Sequence, residues 1–156
     1  MTASGNSWLL KSEAADYSID DLARDGTTLW TGIRNYQARN FIRDGMEKGD
    51  LALYYHTGGT APSIVGVARV AGVPVPDPTQ FDRKNPYYDP KSPPDAPRWW
   101  SAPLEFVERL PRAVTLQELK ADPRLADMSL LTRPRLSVHP VTGKELATVL
   151  SLGGAR

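Results

Sequence analysis

Apolar and polar residues alternate along residues 50–56, the pattern typical of a β-strand. Successive side chains of a strand point to opposite faces, so the alternation places Leu51, Leu53 and Tyr55 together on one face. A Gly-rich turn follows, and residues 63–71 are rich in β-branched side chains. The two segments therefore predict a β-hairpin.

Three further segments have strand character, namely residues 8–10, 104–110 and 135–139. The predicted helices are brief by comparison with the strands. Short helices interspersed among mostly consecutive strands favour an α+β fold with a small curved sheet or barrel over a doubly wound parallel sheet.

A serine or threonine followed by acidic residues and then by apolar residues predicts the start of a helix. Ser18 is followed by acidic residues in a predicted first turn, and Thr115 and Thr142 each have a glutamate three residues later, the capping-box spacing. A further helix is predicted over residues 35–46, with apolar side chains at helical spacing on its inner face.

Proline is concentrated in one segment, since nine of the 14 prolines lie within residues 74–103. Proline lacks a backbone N–H and fixes φ, so this segment is predicted to hold neither a long helix nor an inner strand. Five aromatic residues share the segment, which disordered chains rarely contain. We therefore predict an ordered excursion packed on the domain, and long ordered loops often carry function.

The composition narrows the function classes. A chain of 156 residues with 19 Lys and Arg against 18 Asp and Glu predicts a single globular domain without a strongly basic, histone-like coat. The absence of cysteine excludes disulfide, thiol and iron–sulfur chemistry, and only two histidines are present, so neither a metal nor a cofactor is predicted. The chain contains neither an apolar run of about 20 residues nor a signal-peptide pattern, so no membrane association is predicted. The predicted location is the cytoplasm, or the nucleus if the source is a eukaryote. Residues 1–6 are predicted to form a flexible tail.

Aromatic and cationic residues are the candidate functional groups. Trp30 begins a predicted loop, residues 30–34, in which Thr31 and Gly32 follow it, and a tryptophan on a pocket wall stacks on nucleobases. Asn35, Arg39 and Arg43 repeat every four residues, a cationic stripe suited to phosphates. The competing interpretation is a core tryptophan with solvated arginines. We find no phosphate loop, dinucleotide fingerprint or nucleophile elbow.

Stretches in order along nearly the whole chain resemble the EVE-domain family, among them WLLKSE at residues 8–13 and YYDPKS at residues 87–92. The stretch WTGIRNYQARNF at residues 30–41 is the most specific of them. The resemblance implies a PUA-like fold, a small mixed β-barrel with surrounding short helices, spanning residues 1–156 as one domain. It also implies a non-catalytic module that recognises a modified base in DNA or RNA. Three positions depart from the family pattern, namely Ala14, Thr31 and His139.

The resemblance assigns roles residue by residue. The implied base-binding residues are Lys11, Ser12, Trp30, Thr31, Gly32, Asn35, Tyr36, Tyr55, His56 and Trp99. The implied phosphate-binding residues are Arg34, Arg39 and Arg98. Two alternatives remain at this point: a protein-interaction domain that uses the proline-rich segment, and an enzyme that uses His56 with Tyr55 or a carboxylate for acid–base chemistry. The sequence predicts no oligomeric state.

Overall fold

A mixed sheet of seven strands organises the protein, as seen in a computed structural model that describes residues 6–58 and 61–155. The strands are β1 (Ser7–Glu13), β2 (Thr27–Trp30), β3 (Leu51–Thr57), β4 (Ser63–Val70), β5 (Val75–Pro76), β6 (Trp100–Thr115) and β7 (Val138–Val141). Their order is β2-β6-β4-β3-β1-β7, and β5 pairs with β6. Only β1 and β3 pair in parallel within the described chain, and the predicted hairpin of β3 and β4 is confirmed.

In the part of the chain that the structure describes, five short α-helices flank the sheet. They are α1 (Ile19–Asp25), α2 (Tyr36–Asn40), α3 (Leu116–Ala121), α4 (Ser129–Thr132) and α5 (Gly143–Leu152). The predicted caps are confirmed, because Ser18, Thr115 and Thr142 each accept a backbone N–H at the third helical position and complete a capping box. Within the described residues, no helix combines the length and apolar character that crossing a membrane requires.

Both faces of the sheet are covered, and so the strict alternation along β3 separates two apolar cores. Leu53 and Tyr55 pack into one core with α3 and α5, whereas Ala52 and Tyr54 pack into the other with α1 and α2. Burying both faces makes each side chain of the inner strands contribute to stability, at about 25 cal/mol per Å² of apolar area. The predicted α+β class and its mixed sheet are confirmed.

Several predicted boundaries were wrong, and the strand predicted over residues 104–110 runs from Trp100 to Thr115. Trp30 ends strand β2, paired with Ala102, whereas the sequence predicted a loop. The last strand begins at Val138, because the residues before it form a turn in which the Leu136 N–H donates to the Arg133 carbonyl. The helix predicted over residues 35–46 is α2 followed by a π-helical turn, Phe41–Gly45.

The proline-rich segment is ordered, as predicted, and a buried polar side chain explains why. Gln80 donates to the carbonyls of Asp77 and Trp99, and its oxygen accepts from the Ser92 hydroxyl and the Trp99 N–H. These bonds replace the backbone ladder that proline cannot form.

The expectation that no inner strand enters the proline-rich segment is wrong at its end. The segment's last four residues, 100–103, begin β6, which has neighbouring strands on both sides. Pro103 fits because its carbonyl accepts the Ala71 N–H at 2.8 Å while its ring nitrogen needs no partner. The predicted tail lies outside the described residues, apart from Asn6.

Candidate nucleic-acid interface

An open cleft of about 730 Å³ lies where the end of β1 meets β2 and the loop that follows it. Seven of the sequence-predicted site residues line this cleft: Lys11, Ser12, Trp30, Thr31, Gly32, Arg34 and Asn35. The remaining predicted residues lie outside the cleft lining: Tyr36, Arg39, Tyr55, His56, Arg98 and Trp99. The structure therefore brings together the part of the site that comes from β1, β2 and the loop before α2.

Trp30 forms part of both the core and the cleft wall. It is 7% exposed and packs in the core shared with α1 and α2. Its indole N–H has no hydrogen-bond partner among the described residues, yet it is not among the solvent-excluded polar atoms. Trp30 is thus both a core residue, as the competing interpretation held, and part of the cleft wall.

Asp77, in the proline-rich segment, organises the loop beneath the cleft. Its carboxylate is fully buried and accepts the Gly32 N–H at 2.8 Å and the Arg34 Nη1 at 3.1 Å. The other carboxylate oxygen accepts the backbone N–H and the hydroxyl of Thr79. One buried carboxylate therefore connects the proline-rich segment to the loop after β2.

Arg34 is held entirely by the protein. Its guanidinium donates to the carbonyls of Ile33 and Tyr87, to Asp77 and to the Thr79 hydroxyl, which together use all five N–H donors. No donor remains for the phosphate contact implied by the resemblance. We therefore assign Arg34 the role of positioning the loop.

Tyr87 closes the cleft from the proline-rich segment, whereas the resemblance implied Trp99 as the base-binding residue from that segment. Its ring lies over Gly32, which has a φ of +88°, and a Cβ added there would be 2.9 Å from the ring. Tyr87 is 45% exposed and lines the cleft. The sequence offered two signals for Tyr87: its place among the aromatic residues of the proline-rich segment and its place in the tract YYDPKS that resembles the family.

Gly32→Ala is expected to destabilise the protein more than Gly49→Ala. Both glycines have positive φ, so each substitution costs about 1–3 kcal/mol in backbone strain. Only Gly32 also has a neighbouring ring, and displacing it adds about 1–3 kcal/mol of overpacking. Urea unfolding of both variants checks this, and equal losses of stability would contradict the close packing of Tyr87 on Gly32.

Lys11 and Ser12 carry the polar groups at the end of β1. The Lys11 ammonium donates to the Pro134 carbonyl at 2.6 Å, and partial burial lowers the pKa of Lys11. The Ser12 hydroxyl donates to the Tyr17 carbonyl at 2.9 Å. Its hydrogen is thereby used, which leaves the oxygen of Ser12 as an acceptor.

Asn35 combines a structural role with a free polar group. Its side-chain oxygen accepts the Ala38 N–H and caps α2. Its amide nitrogen has no partner among the described residues and carries two donors at the cleft. The neighbouring carboxylates of Glu13 and Asp16 also line the cleft, and sequence reasoning missed both.

Tyr36, Trp99 and Arg39 form a separate stack beside the cleft. The rings of Tyr36 and Trp99 stack with centroids 4.8 Å apart, and Arg39 lies 4.9 Å from the Tyr36 ring centre. The Arg34 guanidinium lies 5.3 Å from the Trp99 ring centre, and the Arg39 guanidinium donates to the Arg98 carbonyl. This stack fastens α2 to the proline-rich segment.

His56 and Tyr55 do not meet at the cleft. His56 Nε2 accepts the Ile19 N–H at 3.1 Å, at the start of α1, and burial lowers the pKa of His56. Tyr55 is buried in the core on the opposite face of the sheet. In the chain as far as the structure describes it, no group of three or more His, Asp or Glu side chains is arranged to hold a metal ion.

Comparisons with known proteins agree with this fold. A family model described as EVE domain matches residues 6–152. Thymocyte nuclear protein 1 of Mus musculus is 40% identical over 166 aligned residues, which cover 94% of this chain and 73% of the relative.

Two solved structures have closely similar folds. A hypothetical protein from Leishmania major is 41% identical with a TM-score of 0.92, covering 96% of this chain and 95% of its own. The human THYN1 protein, crystallised in complex with 5-methylcytosine containing DNA, is 38% identical with a TM-score of 0.91, covering 97% and 99%. By sequence and by structure, this chain belongs to the EVE domain family.

Proposed function

We propose that this protein binds DNA carrying a modified base, with 5-methylcytosine as the leading candidate, and holds that base in the cleft at Trp30. The observation that supports this proposal most directly is the cleft of about 730 Å³, which lies in a fold that matches the human THYN1 protein with a TM-score of 0.91. Its volume lies within the range of about 300–1,000 Å³ typical of ligand pockets.

Stacking supplies the affinity in this proposal. A base inside a duplex must leave its stack to be inspected, at a cost of a few kcal/mol. Contact with an aromatic side chain returns about 1–3 kcal/mol per base. Among the described residues, three aromatic residues line the cleft, namely Tyr17, Trp30 and Tyr87, and Trp30 and Tyr87 approach it from different segments of the chain.

Hydrogen bonding supplies the choice of base. Cytosine presents an N4 amino donor, which the Ser12 oxygen accepts. The free amide N–H groups of Asn35 donate to an acceptor on the same base. A buried methyl group adds about 0.8 kcal/mol, so the preference for the methylated base is expected to be about fourfold.

Binding without chemistry on the base agrees with the side-chain positions. The acid–base alternative requires His56 to act at the cleft with Tyr55 or a carboxylate. His56 does not line the cleft, and Tyr55 lies in the core on the opposite face of the sheet. The protein-interaction alternative uses exposed aromatic residues of the proline-rich segment, of which Phe81 and Tyr87 are exposed and Trp99 is buried. Tyr87 lines the cleft, so its exposure is equally explained by a role in base binding.

Trp30→Phe is expected to weaken binding to methylated DNA by about 3- to 10-fold, because the smaller ring loses part of the stacking contact. Fluorescence anisotropy measures this with matched duplex and single-stranded DNA carrying cytosine, 5-methylcytosine, 5-hydroxymethylcytosine or N6-methyladenine. RNA of the same sequence forms a parallel series, which tests the other polymer.

Trp100→Phe is the matched control. Trp100 is half-buried against the same core but does not line the cleft, and its buried indole N–H has no partner among the described residues. This variant is expected to bind like the wild type. Unchanged binding by Trp30→Phe, or an equal loss in both variants, would contradict the placement of the base at Trp30.

A further inference from the structure

We infer that a second groove, beside the cleft, holds the phosphodiester backbone that flanks the inserted base. The groove measures about 340 Å³ and is lined by Asn35, Gln37, Arg133, Pro134, Arg135 and Leu136. This inference rests on the proposed function, because it assigns a second part of the same ligand. It names the residues that hold the strand rather than those that select the base.

The groove and the cleft are adjoining surfaces. Asn35 lines both of them. The Lys11 ammonium, which lines the cleft, donates at 2.6 Å to the carbonyl of Pro134 in the groove. Ser137, the residue after the groove segment, lines the cleft as well. A strand whose base enters the cleft therefore passes over the groove on this side.

The groove carries two uncommitted guanidinium groups. Arg133 and Arg135 are exposed, and neither side chain has an ion pair or hydrogen bond within the described residues. Most other arginines are paired with carboxylates, namely Arg24, Arg34, Arg43, Arg69, Arg109, Arg112 and Arg124. A free guanidinium suits phosphate, which it binds with two parallel hydrogen bonds.

The groove floor is rigid enough to present these charges. The Arg133 N–H donates to the Ser129 carbonyl at 2.8 Å, and Leu136 is buried in the core beneath the cleft. Together with the bond from Lys11 to Pro134, these contacts hold the turn at both ends. Both arginines therefore extend from a fixed backbone.

The charges of the cleft itself also favour a path of the phosphodiester backbone toward the groove. Glu13, at the end of β1, and Asp16, in the turn that follows, line the cleft, and their carboxylates repel phosphate. Arg34 has no N–H left to donate. The backbone is thus attracted toward the side of Asn35, where Arg133 and Arg135 lie.

The test is the double variant R133Q/R135Q, compared with K120Q/K144Q. The control also removes two exposed cations, but from α3 and α5, which pack on the opposite face of the sheet. Anisotropy titrations over a range of salt concentrations give the slope of log affinity against log salt. Each phosphate contact contributes about 0.9 to this slope on duplex DNA and about 0.7 on single strands.

R133Q/R135Q is expected to reduce the slope by close to two contacts' worth, on methylated and unmethylated DNA alike, and to keep the methylation preference. K120Q/K144Q is expected to keep the wild-type slope. A wild-type slope in R133Q/R135Q, or a loss confined to methylated DNA, overturns the groove assignment while the wild-type preference upholds the proposed function. A wild-type protein that shows no DNA binding overturns both.

Discussion

Asp77→Asn is expected to lower the free energy of unfolding by about 3–5 kcal/mol, the cost of breaking a buried charge pair. The Asp77 side chain is fully buried and Arg34 beside it is 21% exposed. The same oxygen that accepts from Arg34 also accepts the Gly32 N–H, and the other oxygen accepts two donors from Thr79. An amide in this position directs an NH₂ group at N–H or O–H donors and leaves Arg34 without its counterion.

Urea unfolding measures this loss, with Asp44→Asn as the matched control. Asp44 also pairs with an arginine, Arg43, but its side chain is 58% exposed. Exposed pairs contribute about 0–1 kcal/mol, so the control is expected to be nearly neutral. Similar losses in the two variants would contradict the role of Asp77 as the buried support of the cleft loop.

Asp77→Asn is also expected to abolish the preference for methylated DNA under conditions where the variant remains folded. The loop that bears Thr31 and Gly32 depends on this carboxylate, although Asp77 itself does not line the cleft. A folded variant with the wild-type preference would show that the cleft loop keeps its shape without Asp77.

Acidification from pH 6.5 to 4 is expected to remove about 3 kcal/mol of stability through His139 alone. Burial, followed by the positive charge of Lys11, lowers the pKa of His139 from 6.5 to about 4. The unfolded chain therefore binds more protons in this interval, and stability falls as the pH falls. The contribution is fully present above pH 6.5 and is lost as the pH reaches the folded-state pKa.

The fully buried His139 ring contacts the Ser129 hydroxyl at 2.7 Å. Burial also lowers the pKa of His56, which adds to the loss with the same sign. The carboxylates act in a lower interval. Glu118, whose pKa the Arg112 guanidinium lowers to about 2, loses its contribution only as the pH falls below about 4.5.

Denaturation curves at several pH values separate these groups. His139→Gln is expected to be less stable than the wild type at neutral pH, yet its stability is expected to change much less between pH 6.5 and 4.5. His56→Gln is expected to keep most of the wild-type slope. A wild-type slope in His139→Gln would contradict the assignment of this acid sensitivity to His139.

Local patterns were sufficient for much of the fold. The hairpin follows from alternation along residues 50–56, and the helix starts follow from Ser18, Thr115 and Thr142, because periodicity and capping depend on neighbours within a few residues. Strand β2 was not predicted in this way, since its four residues, TTLW, show no alternation of apolar and polar side chains. Its pairing with β6 links positions about 75 residues apart in sequence, such as Trp30 and Ala102.

The candidate site was likewise predicted in part from the sequence and in part only from the tertiary structure. The sequence by itself, through its resemblance to a family, identified Lys11, Ser12, Trp30 and Asn35 as cleft residues, since these positions belong to contiguous matching stretches. The tertiary structure decided which groups remain free for a ligand. It commits all five donors of Arg34 to the chain, brings Tyr87 over Gly32 and leaves the groove arginines uncommitted. Residue type specifies what a side chain can donate or accept, whereas contacts between distant segments determine which of those capacities are already satisfied.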